Sequence, residues 1–118
     1  MKKKILVVED DQALNDAFTM ILGNDYEVDA AFDGQEALDH TNKKQYDLIL
    51  LDLLMPVMDG KAFLRAFKNT KQIPVVVFSN LDAKTDIEEV TELGAHRYML
   101  KSWASPKELI KLVEDMLA

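Results

Sequence analysis

The sequence predicts an α/β fold, a doubly wound five-stranded parallel sheet with helices on both faces. Three observations predict it. Three short runs are almost continuously apolar, helical periodicity fills the gaps, and no linker, internal repeat or low-complexity tract interrupts residues 1–118, which read as one domain. The apolar runs are Ile5-Leu6-Val7-Val8, Leu48-Ile49-Leu50-Leu51 and Val75-Val76-Val77-Phe78. Runs of that length read as strands buried on both faces, as in a parallel sheet covered by helices.

Taken in order, the first strand is Ile5 to Val8. A helix follows over 13–22, with Ala13, Leu14, Ala17, Phe18, Ile21 and Leu22 on one face, Asp10 or Asp11 as its cap and Gly23 as its stop. Tyr26-Glu27-Val28-Asp29-Ala30 alternates and reads as an edge strand, and helix is expected over 35–43. Leu48 to Leu51 is the third strand, followed by a helix over 62–68 and the fourth strand. Residues 83–93 offer only Ile87, Val90 and Leu93 as a narrow apolar stripe, so that helix is expected to be weakly held. Arg97-Tyr98-Met99-Leu100 begins with a charge and reads as the other edge strand. The last helix has Ser105 as N-cap, Pro106 at its first position, and Leu109, Leu112, Val113 and Met116 on its buried face. Five β–α units with right-handed crossovers and edge strands two and five give the order 2-1-3-4-5.

Composition narrows the function. Fourteen basic and twenty-one acidic residues give a net charge of −7, which is no electrostatic footprint for gripping nucleic acid or an anionic membrane. Without Cys there is no disulfide, thiolate metal site or Cys nucleophile. Lys2, Lys3 and Lys4 precede an apolar run too short for a signal-peptide core or a membrane span, so the chain reads as cytoplasmic.

In such a sheet the ligand site lies beyond the carboxyl ends of the strands, beside the switch point between strands one and three. At that rim stand Glu9, Asp10 and Asp11 after the first strand, Asp52 ending the third, Ser79 ending the fourth and Lys101 after the fifth. Singly, each has an ordinary explanation as cap, turn residue or solvated charge. Together they describe a site. Carboxylates from two loops within ~4 Å repel by ~4 kcal/mol at an effective dielectric of 20, so a bound cation or a retained proton is needed. Oxygen ligands with room for water suit Mg²⁺. A lysine and a hydroxyl opposite the ion supply what a phosphoryl group wants, and a carboxylate can accept that group as an acyl phosphate.

With these residues in place, the chain resembles the receiver domain of two-component response regulators over essentially its whole length. The matching motifs are Asp10-Asp11 after Ile5-Leu6-Val7-Val8-Glu9, then Asp52-Leu53-Leu54-Met55-Pro56 with Asp59-Gly60, then Ser79, and then Gly94-Ala95 with Tyr98 and Lys101. The family is itself a standard example of the flavodoxin-like order 2-1-3-4-5. The resemblance implies that Asp52 takes a phosphoryl group from a phosphohistidine on a sensor histidine kinase or histidine phosphotransfer protein. It implies Mg²⁺ bound directly by Asp11 and Asp52, through water by Asp10, and by the backbone carbonyl of Leu54. Lys101 would pair with a phosphoryl oxygen, Ser79 would shift to bond another, and Tyr98 would be the switch aromatic. The output would be an output domain or protein partner bound at the face of the fourth helix, fifth strand and fifth helix. The implied role is that of a signalling domain, not a turnover enzyme.

The chain departs from the family in two places. Ser102 and Trp103 follow Lys101 where Pro is usual, and Asn80 and Leu81 follow Ser79 where a small residue is favoured. Slow self-dephosphorylation is expected, because Leu54 and Leu81 offer nothing to orient a water. Trp103 is expected to cover the lysine loop or to form part of a partner surface. His40 and His96 read as surface residues, and Met20, Met55, Met58, Met99 and Met116 as packing. Three other readings compete. An aspartyl-nucleophile phosphatase would need Asp-x-Asp after the first strand, a flavin module would be repelled by the acidic first loop, and an interaction domain that is never phosphorylated would not need Asp52, Ser79 and Lys101 intact.

Overall fold

The computed structural model describes residues 2–69, 71–80, 83–101 and 105–118. The expectations placed on Leu81, Ser102 and Trp103 lie outside the described residues. In chain order the elements are β1 (Lys4–Val8), α1 (Gln12–Leu22), β2 (Glu27–Ala31), α2 (Gly34–Lys43), β3 (Leu48–Leu51), α3 (Gly60–Ala66), β4 (Val75–Ser79), α4 (Lys84–Glu92), β5 (Arg97–Leu100) and α5 (Pro106–Leu117). The strands form one parallel sheet in the order β2-β1-β3-β4-β5.

Alternation along the central strands splits the core into two layers. Leu6, Val8, Ile49, Leu51, Val75 and Val77 pack against Ala37 of α2, Phe63 and Leu64 of α3 and Val90 of α4. Ile5, Val7, Leu48, Leu50, Val76 and Phe78 pack against Phe18 and Leu22 of α1 and Leu109, Leu112 and Val113 of α5. Burying each such side chain contributes about 1.5–3 kcal/mol, so the three central strands are the rigid part of the molecule. The edge strands are less covered: β5 has no fully buried residue and β2 only Ala31.

Four helices start on a side-chain cap, two of them, α1 and α5, on the residues expected as caps. Asp11, Asp33, Asp59 and Ser105 each accept a backbone N–H from the first turn of α1, α2, α3 and α5. Helix α4 has no side-chain cap, and Val90 is its one buried residue.

Several expectations are corrected. Helix α3 begins at Gly60, two residues earlier than expected, because Asp59 caps it. On α1 the buried stripe is narrower: Ala13 and Ala17 are exposed, while Asn15 is fully buried. Met20 is 76% exposed instead of packed. His96 lies at the surface as expected, whereas His40 does so only in part. His40 is half-buried with Nδ1 3.4 Å from the Tyr46 hydroxyl, and exposed His96 accepts the Val75 N–H on Nδ1 at 3.1 Å.

Candidate functional site

The carboxyl ends of the strands carry the polar residues that interrupt the core. Backbone pairing runs one residue past the central strands, since Glu9 N–H donates to Ala31 O (3.0 Å) and Asp52 N–H donates to Val8 O (2.9 Å). With Val8 opposite Leu51, the next residues, Glu9 and Asp52, lie side by side. Both side chains are buried, at 2% and 4% exposure, as is Ser79 at the end of β4.

Lys101, one residue past β5, reaches across to both carboxylates. Its Nζ lies 3.0 Å from Asp52 Oδ2 and forms an ion pair with Glu9. Asp52 Oδ1 lies 3.4 Å from the Leu54 N–H, and Glu9 Oε2 accepts the Asp11 N–H at 3.3 Å. Glu9 Oε1 lies against the ammonium but has no directed hydrogen bond of its own.

Electrostatics follow from this burial. Loss of water pushes the Glu9 carboxyl up to about 7; Lys101 beside it acts in the opposite sense, and Asp52 and Asp10 add to the rise. Burial alone would lower the Lys101 ammonium, but the carboxylates of Glu9 and Asp52 outweigh it and hold its pKa above that of an ordinary lysine.

Carboxylate oxygens of Glu9, Asp10 and Asp52 all lie within 4.8 Å of one another. Three carboxylates against one ammonium leave excess negative charge in a confined space, and every donor is oxygen. That donor set fits a hard divalent cation such as Mg²⁺.

The loop after Asp52 is held close by Gly60. Its N–H donates to Leu53 O at 3.0 Å, and a Cβ at this position would lie 2.8 Å from Leu53 Cα and overlap the Asp52 carbonyl oxygen. Glycine is therefore required for α3 to start against the acceptor loop. Val57, in the same loop, adopts φ 67 and is 84% exposed.

Of the residues expected at the site, the structure brings Asp10, Asp52 and Lys101 together, with Ser79 at the neighbouring strand end. Leu54 follows Asp52, with a side chain 58% exposed. Tyr98 is half-buried in β5, opposite Val77, and packs on the core layer shared with α2, α3 and α4. Asp11 is not brought in. It lies outside the carboxylate group, because the chain has already turned into α1 and Asp11 Oδ1 accepts the Leu14 N–H at 3.2 Å. The acidic pair at the site is Glu9 and Asp10, one residue earlier than the sequence reading placed it. The signal for Glu9 was present: Ile5, Val7 and Glu9 alternate in step with Leu48, Leu50 and Asp52.

Comparison with known proteins bears on the family and the fold. The response regulator receiver domain family matches residues 5–114. The DNA-binding response regulator MtrA of Mycolicibacterium smegmatis is 36% identical over 99% of this chain and 51% of its own length. The chain thus spans about half the length of the curated relatives it matches. The chemotaxis protein CheY4 of Vibrio cholerae superposes with a TM-score of 0.91 at 29% identity, covering 99% of this chain and 100% of that one. A CheY-like receiver domain protein from Methanospirillum hungatei gives 0.92 at 27% identity, covering 99% and 94%.

Proposed function

The chain belongs to the response regulator receiver domain family of two-component signalling, and from that membership we propose that Asp52 accepts a phosphoryl group from a phosphohistidine donor. The donor is a sensor histidine kinase or a histidine phosphotransfer protein. The observation that carries the reading is the convergence of Glu9, Asp10 and Asp52 with Lys101 bonded to Asp52.

In the transfer, a carboxylate oxygen of Asp52 bonds to phosphorus as the P–N bond to the donor imidazole breaks. The imidazole nitrogen keeps the electron pair and takes up a proton, and an acyl phosphate is left on Asp52. Glu9, Asp10 and Asp52, with the Leu54 carbonyl, would hold Mg²⁺, which would supply positive charge to offset that of the phosphoryl oxygens. The ligand place expected for Asp11 passes to Asp10 and Glu9. Lys101 exchanges its bond to Asp52 for one to a phosphoryl oxygen, and the buried Ser79 hydroxyl bonds a second.

The new charge acts on the least secured part of the fold. Helix α4 buries only Val90 and has no side-chain cap, and β5, carrying Tyr98, has no fully buried residue. Movement of Ser79 and Tyr98 therefore biases the α4-β5-α5 face, where an output domain or protein partner binds. With a net charge of −7 the domain offers no electrostatic footprint for gripping nucleic acid by itself. The described residues contain no helix long and apolar enough to cross a membrane.

Intact mass after incubation with acetyl phosphate and Mg²⁺ tests the reading. One phosphoryl adduct, absent with a chelator and in Asp52→Asn, is expected. No adduct on a rapid quench would leave a binding domain that works without phosphorylation.

A further inference from the structure

Asn15 is fully buried on the α1 stripe, between half-buried Leu14 and buried Phe18, where an apolar residue would complete the packing. Its side-chain nitrogen donates to Glu9 O at 3.0 Å and Ala31 O at 3.1 Å, with Val7 O at 3.5 Å. These carbonyls belong to the ends of β1 and β2 and to the first residue of the acidic loop. Thr19, one turn on, bonds the Asn15 carbonyl at 2.8 Å, and its hydroxyl lies 3.3 Å from Asn15 Oδ1, which orients the amide.

The consequence falls on the acidic pair. Glu9 N–H is bonded to Ala31 O, and Glu9 C=O is bonded to Asn15. Asn15 thus fixes the peptide plane that joins Glu9 to Asp10, and that plane sets the direction in which both carboxylates leave the chain. A leucine of similar size would fill the space but supply no donor for these carbonyls.

We propose that Asn15 is a positioning residue for the cation site, holding the Glu9–Asp10 peptide so that the two carboxylates converge on Asp52. The inference rests on the reading of these three residues as the Mg²⁺ site. It goes further by assigning their geometry to a residue that touches neither ion nor phosphoryl group.

Calorimetric titration with Mg²⁺ alone tests it on wild type, Asn15→Leu and Leu112→Ala, a core-thinning variant on the same sheet face. The expected result is a dissociation constant raised about tenfold in Asn15→Leu and changed less than about twofold in Leu112→Ala. Phosphorylation of Asn15→Leu by acetyl phosphate returns to the wild-type level at saturating Mg²⁺. Should Asn15→Leu not fold, the near-isosteric Thr19→Val, which frees the amide, is expected to weaken Mg²⁺ about threefold. Unchanged affinity in the variant that folds, or an equal loss in Leu112→Ala, overturns the role of Asn15 alone. Absence of Mg²⁺ binding by wild type overturns the site reading with it.

Discussion

Lys101 Nζ sits 3.0 Å from Asp52 Oδ2, joining the end of β5 to the end of β3 across the intervening strand. The same ammonium also pairs with Glu9, so one cation serves two buried carboxylates. Removing one partner of a buried pair is costly because it leaves the other charge uncompensated. Lys101→Met in metal-free protein is therefore expected to lose about 2–4 kcal/mol. Added Mg²⁺ then raises the melting temperature of this variant more than that of wild type. Equal Mg²⁺ stabilisation of the two proteins would contradict the account.

Burial of Glu9 carries a pH signature. Its carboxyl ionises near 4.5 in the unfolded chain and near 7 in the folded metal-free protein, so the folded state binds the extra proton between those values. Stability attributable to this group is thus highest below pH 4.5 and falls as pH rises to about 7. The difference in unfolding free energy between wild type and Glu9→Gln, measured in chelator, is expected to drop by up to about 3 kcal/mol over that window. A difference that stays flat or rises would show that Glu9 is ionised throughout.

An acyl phosphate on Asp52 is expected to be long-lived because of Leu54. Its side chain stands exposed two residues past the acceptor and offers no hydrogen bond to an attacking water. The phosphoryl group is expected to persist beyond seconds in purified protein and to decay several-fold faster in Leu54→Asn. Loss within seconds in wild type contradicts this, as does an unchanged rate in the variant, with mass spectra of timed quenches as the readout.

Ion pairs compensate for the thin packing of α4. Lys61 of α3 lies 2.5 Å from Asp86 and 3.3 Å from Glu89, and Arg65 lies 2.7 Å from Glu89. All are partly exposed, so each contributes at most about 1 kcal/mol and is screened by salt. Lys61→Met is expected to change global stability by less than about 1 kcal/mol yet to speed amide exchange selectively in α4. Exchange as slow as in wild type would assign the retention of α4 to Val90 alone.

The strand order and two-layer core were legible because the central strands are continuous apolar runs, and the starts of α1 and α5 because Asp11 and Ser105 stand ahead of strong apolar stripes; Asp33 and Asp59 precede weaker stripes, so α2 and α3 begin one and two residues earlier than the sequence suggests. Asp52, Ser79 and Lys101 were legible as residues that end strands. Glu9 was harder to place, since three successive acids follow β1 and only the sheet register selects which two face Asp52. Asn15 was hidden for a related reason: a polar residue on an apolar helix face reads as a fault in the stripe until the carbonyls it bonds are known.

The central claim is that Asp52 carries the acyl phosphate, and chemical mapping tests it most directly. Protein phosphorylated with acetyl phosphate and Mg²⁺ is treated with borohydride, which reduces an acyl phosphate to the alcohol, then digested and sequenced by mass spectrometry. Homoserine at position 52, with none at positions 10, 11 or 59 and no 5-hydroxynorvaline at Glu9, is the predicted result. A reduced side chain at another of these acids, or at none with the adduct intact before reduction, contradicts the account.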